Sequence, residues 1–223
     1  MTTIANHFMS EHFNNLPLRP SLFYSWKNGI RFEVSMPWGG YNNKNNLNQI
    51  KERSIGIFNH VIQDADELLL ITDINCQSND TFLQKRPANV YPKYINDKNL
   101  LRKLQHHVLP NVFSEGNIDG DYENMVTHRF VLPCKKSDIR YRQLLTAISY
   151  EDFAHPSTIL KQNYSAGYDI YFINMTKKVI YHLYDDRGSD VIASNKEDLR
   201  QLYYVYNDWI LNYDRDQIDL LFK

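Results

Sequence analysis

The sequence predicts an α+β protein, a single domain over residues 1–223 in which helices pack on a central mixed sheet and the chain ends in helices. Strand patterns alternate with helical ones, the last strands follow one another through tight turns, and no long Pro-, Gly- or Ser-rich linker divides the chain. With 223 residues, of which 43% are hydrophobic and 23% charged, the chain can bury a core. No stretch approaches the roughly 20 apolar residues of a membrane span, so we expect a soluble cytoplasmic protein.

The N-terminal part predicts a helix, a strand, a longer helix and a second strand. Residues 4–13 fit a short amphipathic helix. Residues 30–36 alternate apolar and polar side chains, which is typical of a half-buried strand with Arg31 on its polar side. Apolar residues recur at helical spacing over 47–62, and 67–73 is the continuous apolar run of a strand covered on both faces.

The middle of the chain predicts a helix, a strand and a further helix. Asp97 is a good N-cap for a helix that carries apolar residues at helical spacing and ends near Pro110. Residues 125–132 alternate as a strand does. Ser137 is a good N-cap for the helix that follows, which has an apolar stripe.

The C-terminal part predicts an antiparallel meander followed by helices. Three strands over 169–173, 178–184 and 190–193 are separated by short turn-forming segments. Ser194 and Glu197 form a capping box ahead of a helix with apolar residues at helical intervals.

The strongest cluster of chemically active side chains lies at the second of these turns. Two adjacent carboxylates can bind a divalent cation or act as acid and base, and a neighbouring guanidinium can bind an anion. If the protein is an enzyme, its catalytic residues are expected here: His182, Asp185, Asp186, Arg187 and Asp190, with Asp169 nearby. The alternative interpretation is ordinary turn chemistry, in which an Asp side chain caps the turn and Gly188 supplies a positive φ.

Charge is distributed unevenly although the net charge is only −1. Residues 81–110 hold six Lys or Arg against one acidic residue, with aromatic residues between them, a pattern that can bind nucleic acid. Residues 111–124 hold four acidic residues and no basic one, and we expect a mobile loop that screens the basic segment. The near-zero net charge argues against a nucleic-acid partner.

The C-terminal helix is the best candidate for a surface that binds a protein partner. Helical spacing turns Leu199, Leu202, Tyr203, Tyr206 and Ile210 inward, which leaves Asp198, Tyr204 and Asp208 outside. Acidic side chains speed encounter with a basic partner, and an exposed tyrosine supplies contact area. We therefore expect Asp198, Tyr204 and Asp208 to bind a basic protein.

Several common chemistries lack their sequence motifs. No P-loop, dinucleotide-binding, serine hydrolase or zinc protease motif is present, and we expect no cofactor. His106 and His107 are adjacent and unsuited to a shared metal, so we expect no metal site. Cys76 and Cys134 are expected to be reduced structural thiols.

Four segments carry a resemblance to a known family: FYSWKNGIRFEV near the start, RFVLPCKKSDIRYRQLLTAI at 129–148, YFINMTKKVIYHLYDDRGSDVIAS at 171–194 and YNDWILNYDRDQID at 206–219. They resemble an uncharacterised bacterial family, domain of unknown function 3885, over nearly the whole chain. The final meander and helix are also similar in outline to the ends of SMI1/KNR4-like immunity proteins. This second resemblance implies a protein that neutralises a toxin, and the expected partner is then a basic toxin domain.

Overall fold

The computed structural model describes residues 4–37, 43–80, 90–113, 124–151 and 167–223. Within these ranges seven strands form one sheet in the order β1-β7-β6-β5-β2-β4-β3. The strands are β1 Gly29–Glu33, β2 Glu67–Gln77, β3 Gln105–Pro110, β4 Met125–Lys135, β5 Gly167–Asn174, β6 Val179–Leu183 and β7 Gly188–Ala193. The α+β class and the C-terminal meander of β5, β6 and β7 are confirmed.

All neighbouring strands run antiparallel, where a mixed sheet was expected. Strands β1 and β2, which are joined through a helix, do point the same way. They are not neighbours, because the meander lies between them and alternates in direction.

The helices lie on both sides of this sheet and at the C-terminus. They are α1 Ile4–Phe13, α2 Leu22–Ser25, α3 Lys44–Val61, α4 Val90–Tyr94, α5 Tyr141–Ile148, α6 Arg200–Val205 and α7 Arg215–Phe222, with 3₁₀ turns at Lys98–Lys103, Lys136–Asp138, Lys196–Leu199, Asn207–Trp209 and Asn212–Asp214. None of the described helices has the length and apolar character needed to cross a membrane.

Two apolar clusters sandwich the sheet, and β2 belongs to both. Leu68 and Leu70 pack in the larger cluster with α3 and α5, whereas Leu69 and Ile71 pack in the smaller one beneath α1. The prediction that this apolar run is covered on both faces is confirmed.

Two differences from the expected elements concern β1 and β3. Arg31 is buried, not on a solvent face, because it pairs with an aspartate of β7. The helix predicted to continue to Pro110 is wrong: Asp97 caps only the 3₁₀ turn Lys98–Lys103, and Gln105–Pro110 is an edge strand paired with β4. Pairing with β4 satisfies backbone N–H and C=O groups of this segment, which a helix would satisfy with its own internal hydrogen bonds.

Three helix starts also differ. Asn43 caps α3, whose first residue Lys44 precedes the expected start, by accepting bonds from two backbone N–H groups. Ser137 lies inside a 3₁₀ turn and is not the N-cap of α5, which follows Arg140. Asn195, not Ser194, caps the C-terminal helical segment, since its side chain accepts from the N–H of Glu197.

The two cysteines are buried and free, as predicted. Cys76 lies on β2 opposite Val126, and Cys134 lies on β4 opposite Leu68. The two thiols are therefore at opposite ends of this strand pair. Burial raises the pKa of the Cys134 thiol to about 12.

Candidate functional site

A cleft of about 410 Å³ opens at one end of the sheet. It lies where β2 ends and β4 and β5 begin, beside the turn between β6 and β7. Among the described residues that line it are Asn75, Glu151, Asp169, Tyr184, Asp185 and Arg187. The cleft therefore includes part of the predicted constellation and adds residues from distant strands.

The register of the sheet places a polar strip beside this cleft, which Asn75 and Asp169 of the strip line. Asp73 of β2 lies directly opposite Asp169 of β5 on one side and Arg129 of β4 on the other. Directly opposite residues project from the same face of a sheet, so the three side chains are neighbours. Asn75 lies one step further along the same face and opposite Thr127.

Hydrogen bonds connect the strip from β4 to β5. The Thr127 hydroxyl donates to Asn75 Oδ1 over 2.6 Å, and Asn75 Nδ2 donates to Asp169 Oδ2 over 3.5 Å. The Arg129 guanidinium donates two hydrogen bonds of 2.8 and 2.5 Å to the Asp73 carboxylate. Burial raises the pKa of Asp73 in spite of Arg129, and the nearby Asp169 carboxylate raises it further.

His182 stands behind Asp169 and is fully buried. Its Nε2 lies 3.5 Å from Asp169 Oδ1, and its ring centroid is 4.3 Å from that of Tyr171. Neither His182 ring nitrogen nor the Tyr171 hydroxyl has a hydrogen-bond partner among the described residues. Buried polar atoms without a partner are uncommon in folded proteins.

Asp190, another predicted site residue, serves a different purpose. It accepts two bonds from the Arg31 guanidinium and one from the backbone N–H of Phe23. The Arg31 guanidinium in turn lies 4.4 Å from the Tyr24 ring centroid. These contacts tie β7 to β1 and α2, so Asp190 acts as a buried structural anchor.

The turn between β6 and β7 owes its shape to Asp185. One carboxylate oxygen of Asp185 accepts from the N–H groups of Arg187 and Gly188 at 2.7 and 3.3 Å. The other accepts from Arg187 Nε at 2.7 Å. Asp186 is buried in the same turn. The two predicted catalytic groups Asp185 and Arg187 are thus brought together, but as partners of each other.

Gly188 does not have the left-handed φ that turn chemistry predicted. It is needed for close approach instead. A Cβ at this position would lie 2.8 Å from Tyr184 Cζ and 2.9 Å from the backbone oxygen of Phe32. Only glycine lets β7 pass this close to β1 and Tyr184.

The C-terminal residues Asp198, Tyr204 and Asp208 are all exposed, as predicted. They do not share the face of one helix, because the segment is broken: Asp198 lies in a 3₁₀ turn, Tyr204 in α6 and Asp208 in another 3₁₀ turn. Of the residues expected to point inward, Leu199, Leu202, Tyr203 and Ile210 are buried and Tyr206 is partly so.

Two further expectations fall largely outside the described residues. The basic segment includes 81–89 and the acidic loop includes 114–123, so the screening of one by the other stays a prediction.

His106 and His107 project to opposite sides of β3, and His106 Nε2 lies 2.9 Å from His128 Nδ1. In the part of the chain that the structure describes, no group of three or more His, Cys, Asp or Glu side chains is arranged to hold a metal ion.

Sequence reasoning missed Asp73, Asn75, Thr127 and Arg129 as members of the site. A signal was present, since Asp73 and Asn75 lie in a strand whose other buried residues, apart from Thr72, are apolar. A charged residue in such a strand requires a partner, although the sequence did not show which one.

Comparison with known proteins places the chain among uncharacterised relatives. Uncharacterized protein YnaE of Bacillus subtilis (strain 168) is 33% identical over 213 residues, which cover 92% of this chain and 96% of that protein. No solved structure matches. The outline similarity to SMI1/KNR4-like proteins stays a prediction. The family model described as domain of unknown function (DUF3885) matches residues 5–214, and the chain therefore belongs to the DUF3885 family.

Proposed function

We propose that this protein is a protein-binding module whose C-terminal surface, defined by Asp198, Tyr204, Val205, Asp208, Tyr213 and Leu220, contacts a basic partner. The observation that carries the proposal is the exposure of large apolar side chains there. Half of the large hydrophobic side chains that are exposed within the described ranges belong to this surface: Tyr204 and Val205 at 58%, Tyr213 and Leu220 at 86%.

Packing explains why these side chains point outward. Helices α6 and α7 bury Leu202, Tyr203, Ile218 and Phe222 against the rest of the molecule. Tyr203 stacks on Phe222 with ring centroids 4.8 Å apart, which joins the two helices. The exposed apolar residues of this surface do not contribute to that core. Aromatic side chains such as its two tyrosines are enriched at protein interfaces.

Charge on the same surface favours a basic partner. Glu197 is paired with Arg200, and Asp219 with Lys223. The exposed Asp198 and Asp208 form no ion pair with any described residue, so their carboxylates remain available to attract a positive surface.

The specific form of this proposal is an immunity protein that neutralises a basic toxin domain in the cytoplasm. The rival proposal, a carboxylate-dependent hydrolase built on Asp185, Asp186 and Arg187, is supported less well. The Asp185 carboxylate is already engaged by Arg187 and two backbone N–H groups, which leaves it little capacity for substrate.

The test compares matched surface variants. The immobilised protein captures its partner from a lysate of the source bacterium, and the purified partner is measured by surface plasmon resonance. Tyr204→Ala should weaken binding by about 1–3 kcal/mol, and Asp198→Lys with Asp208→Lys should mainly lower the association rate. Val205→Ala should also weaken binding. Val108→Ala is its control, since both valines are 58% exposed but Val108 lies on β3 at the far edge of the sheet.

Thermal midpoints should be nearly unchanged in all of these variants, because every altered side chain is exposed. Unchanged affinity and association rate across the Tyr204, Val205 and double Asp variants would contradict the proposal. Equal weakening by Val205→Ala and Val108→Ala would contradict it as well.

A further inference from the structure

The cleft at the end of the sheet presents a carboxylate with no Lys or Arg partner among the described residues. Asp169 lines the cleft with its side chain 12% exposed, and no Lys or Arg among the described residues forms an ion pair with it. The neighbouring carboxylate of Asp73 is different, since Arg129 binds both of its oxygens. The contacts of Asp169 with described residues are long, since Asn75 Nδ2 and His182 Nε2 each lie 3.5 Å from one of its oxygens. Holding a weakly compensated carboxylate mostly away from water is costly, and a bound cation would lower that cost.

A second observation concerns the residues directly behind Asp169. His182 lies fully buried behind Asp169, with Nε2 3.5 Å from Oδ1, and both of its ring nitrogens lack hydrogen-bond partners in the described part of the chain. The Tyr171 hydroxyl beside it is equally buried and unpartnered. Burying polar atoms without close hydrogen-bond partners is costly, so this end of the sheet would gain from a further hydrogen-bonding group.

The remaining walls of the cleft suit the apolar body of a small molecule. Phe113, Met125, Tyr168 and Tyr184 line it together with the polar residues. Aromatic rings bind apolar groups and attract cations through their faces. A volume of about 410 Å³ lies within the range of small-molecule sites.

The charge of the described lining disfavours an anionic ligand. Among the described residues, three acidic ones, Glu151, Asp169 and Asp185, line the cleft with one basic residue, Arg187. The Arg187 guanidinium is bonded to the Asp185 carboxylate. An anionic ligand would thus meet excess negative charge, whereas an ammonium or guanidinium group would be attracted.

We propose that this cleft binds a small organic cation, an amine or guanidine with an apolar body, whose positive group contacts Asp169. The site uses none of the residues of the C-terminal surface. The inference therefore stands apart from protein binding and is tested with different variants.

The test uses four probes that share a phenyl group. Binding of 2-phenylethylamine, benzylguanidine, 2-phenylethanol and phenylacetate to the full chain is followed by ¹H–¹⁵N NMR. The two cations should give saturable shifts at Asn75, Gly167 and Asp169, with affinity at least about tenfold above that of the alcohol, and phenylacetate should bind weakest.

Asp169→Asn keeps the size of the side chain and should abolish the preference for the cations over the alcohol. Asp64→Asn is the control, because its carboxylate is 91% exposed on the surface, and it should keep the preference. The proposal is overturned if neither cation saturates these resonances, if the alcohol binds as tightly as the cations, or if Asp169→Asn retains the preference. Should Asp169→Asn fail to fold, the ranking of the four probes on the wild-type protein decides the question.

Discussion

Arg31 on β1 and Asp190 on β7 form a two-point ion pair in the interior, with Nε–Oδ1 at 2.7 Å and Nη2–Oδ2 at 3.0 Å. They lie directly opposite each other in the register of the two strands. Asp190 also accepts from the Phe23 N–H, so the pair fixes α2 against the edge of the sheet. Neither charge forms a second ion pair with a described residue, and the Arg31 guanidinium also lies 4.4 Å from the Tyr24 ring centroid.

Removing one member of this pair should destabilise the fold strongly. Asp190→Asn leaves the Arg31 guanidinium buried without its counter-charge, which typically costs about 3–5 kcal/mol. Urea unfolding followed by circular dichroism measures the loss. The matched control is Glu197→Gln, which breaks an exposed ion pair with Arg200 and should change stability little. A similar, small loss in both variants would show that the buried pair is not an anchor.

The double variant Arg31→Met with Asp190→Leu removes both charges together. It should recover much of the stability lost in Asp190→Asn, because no uncompensated charge remains inside the protein. Additive losses from the two sites would contradict this account of the single variant.

Replacement of Gly188 by alanine should destabilise the protein by about 1–3 kcal/mol, since the added Cβ overlaps a packed region. It would meet the Tyr184 ring and the Phe32 backbone oxygen at 2.8 and 2.9 Å. Gly167→Ala is the control, because nothing lies within 4 Å of a Cβ at that position. The free energy of unfolding is measured for both variants. If Gly188→Ala is as stable as Gly167→Ala, close approach is not the reason for this glycine.

The contact between His106 and His128 should make stability depend on pH. Burial lowers the pKa of both imidazoles, and for His106 the neighbouring His128 lowers it further. Below about pH 6.5, the ordinary value for histidine, the unfolded chain therefore binds protons that the folded protein resists. The free energy of unfolding is therefore fully retained above that pH and decreases as the pH falls below it.

Urea unfolding at pH 7.5 and pH 5.0 tests this dependence. His106→Gln should lose less stability between the two pH values than the wild-type protein does, since one of the resisting groups is gone. Val108→Ala alters the same strand without removing a titratable group, and it should keep the wild-type dependence. An identical pH dependence in His106→Gln and the wild-type protein would rule out this role for the pair.

Local patterns were sufficient for several elements. Helix α1 begins and ends at the predicted residues, and the meander follows from short turns between strand-forming runs. The apolar run of β2 predicted that both faces of the strand are covered, because neither face of that run is polar. In each of these cases the decisive residues are close together in the chain.

Strand β3 shows the limit of such patterns. Its side chains alternate between partly buried and exposed, and the preceding leucines have helical spacing, so the segment is locally ambiguous. The segment forms a strand because the edge of β4 supplies hydrogen-bond partners for its backbone.

By itself, then, the sequence determined the α+β class, the central strand, the meander and the place of the turn between its last two strands. Only the tertiary structure decided which polar residues meet at and beside the cleft. Asp73 and Arg129 are 56 residues apart, and Asn75 and Asp169 are 94 apart. Strand order and register bring them to one face, and a shift of one residue in either pairing would turn them to opposite faces of the sheet.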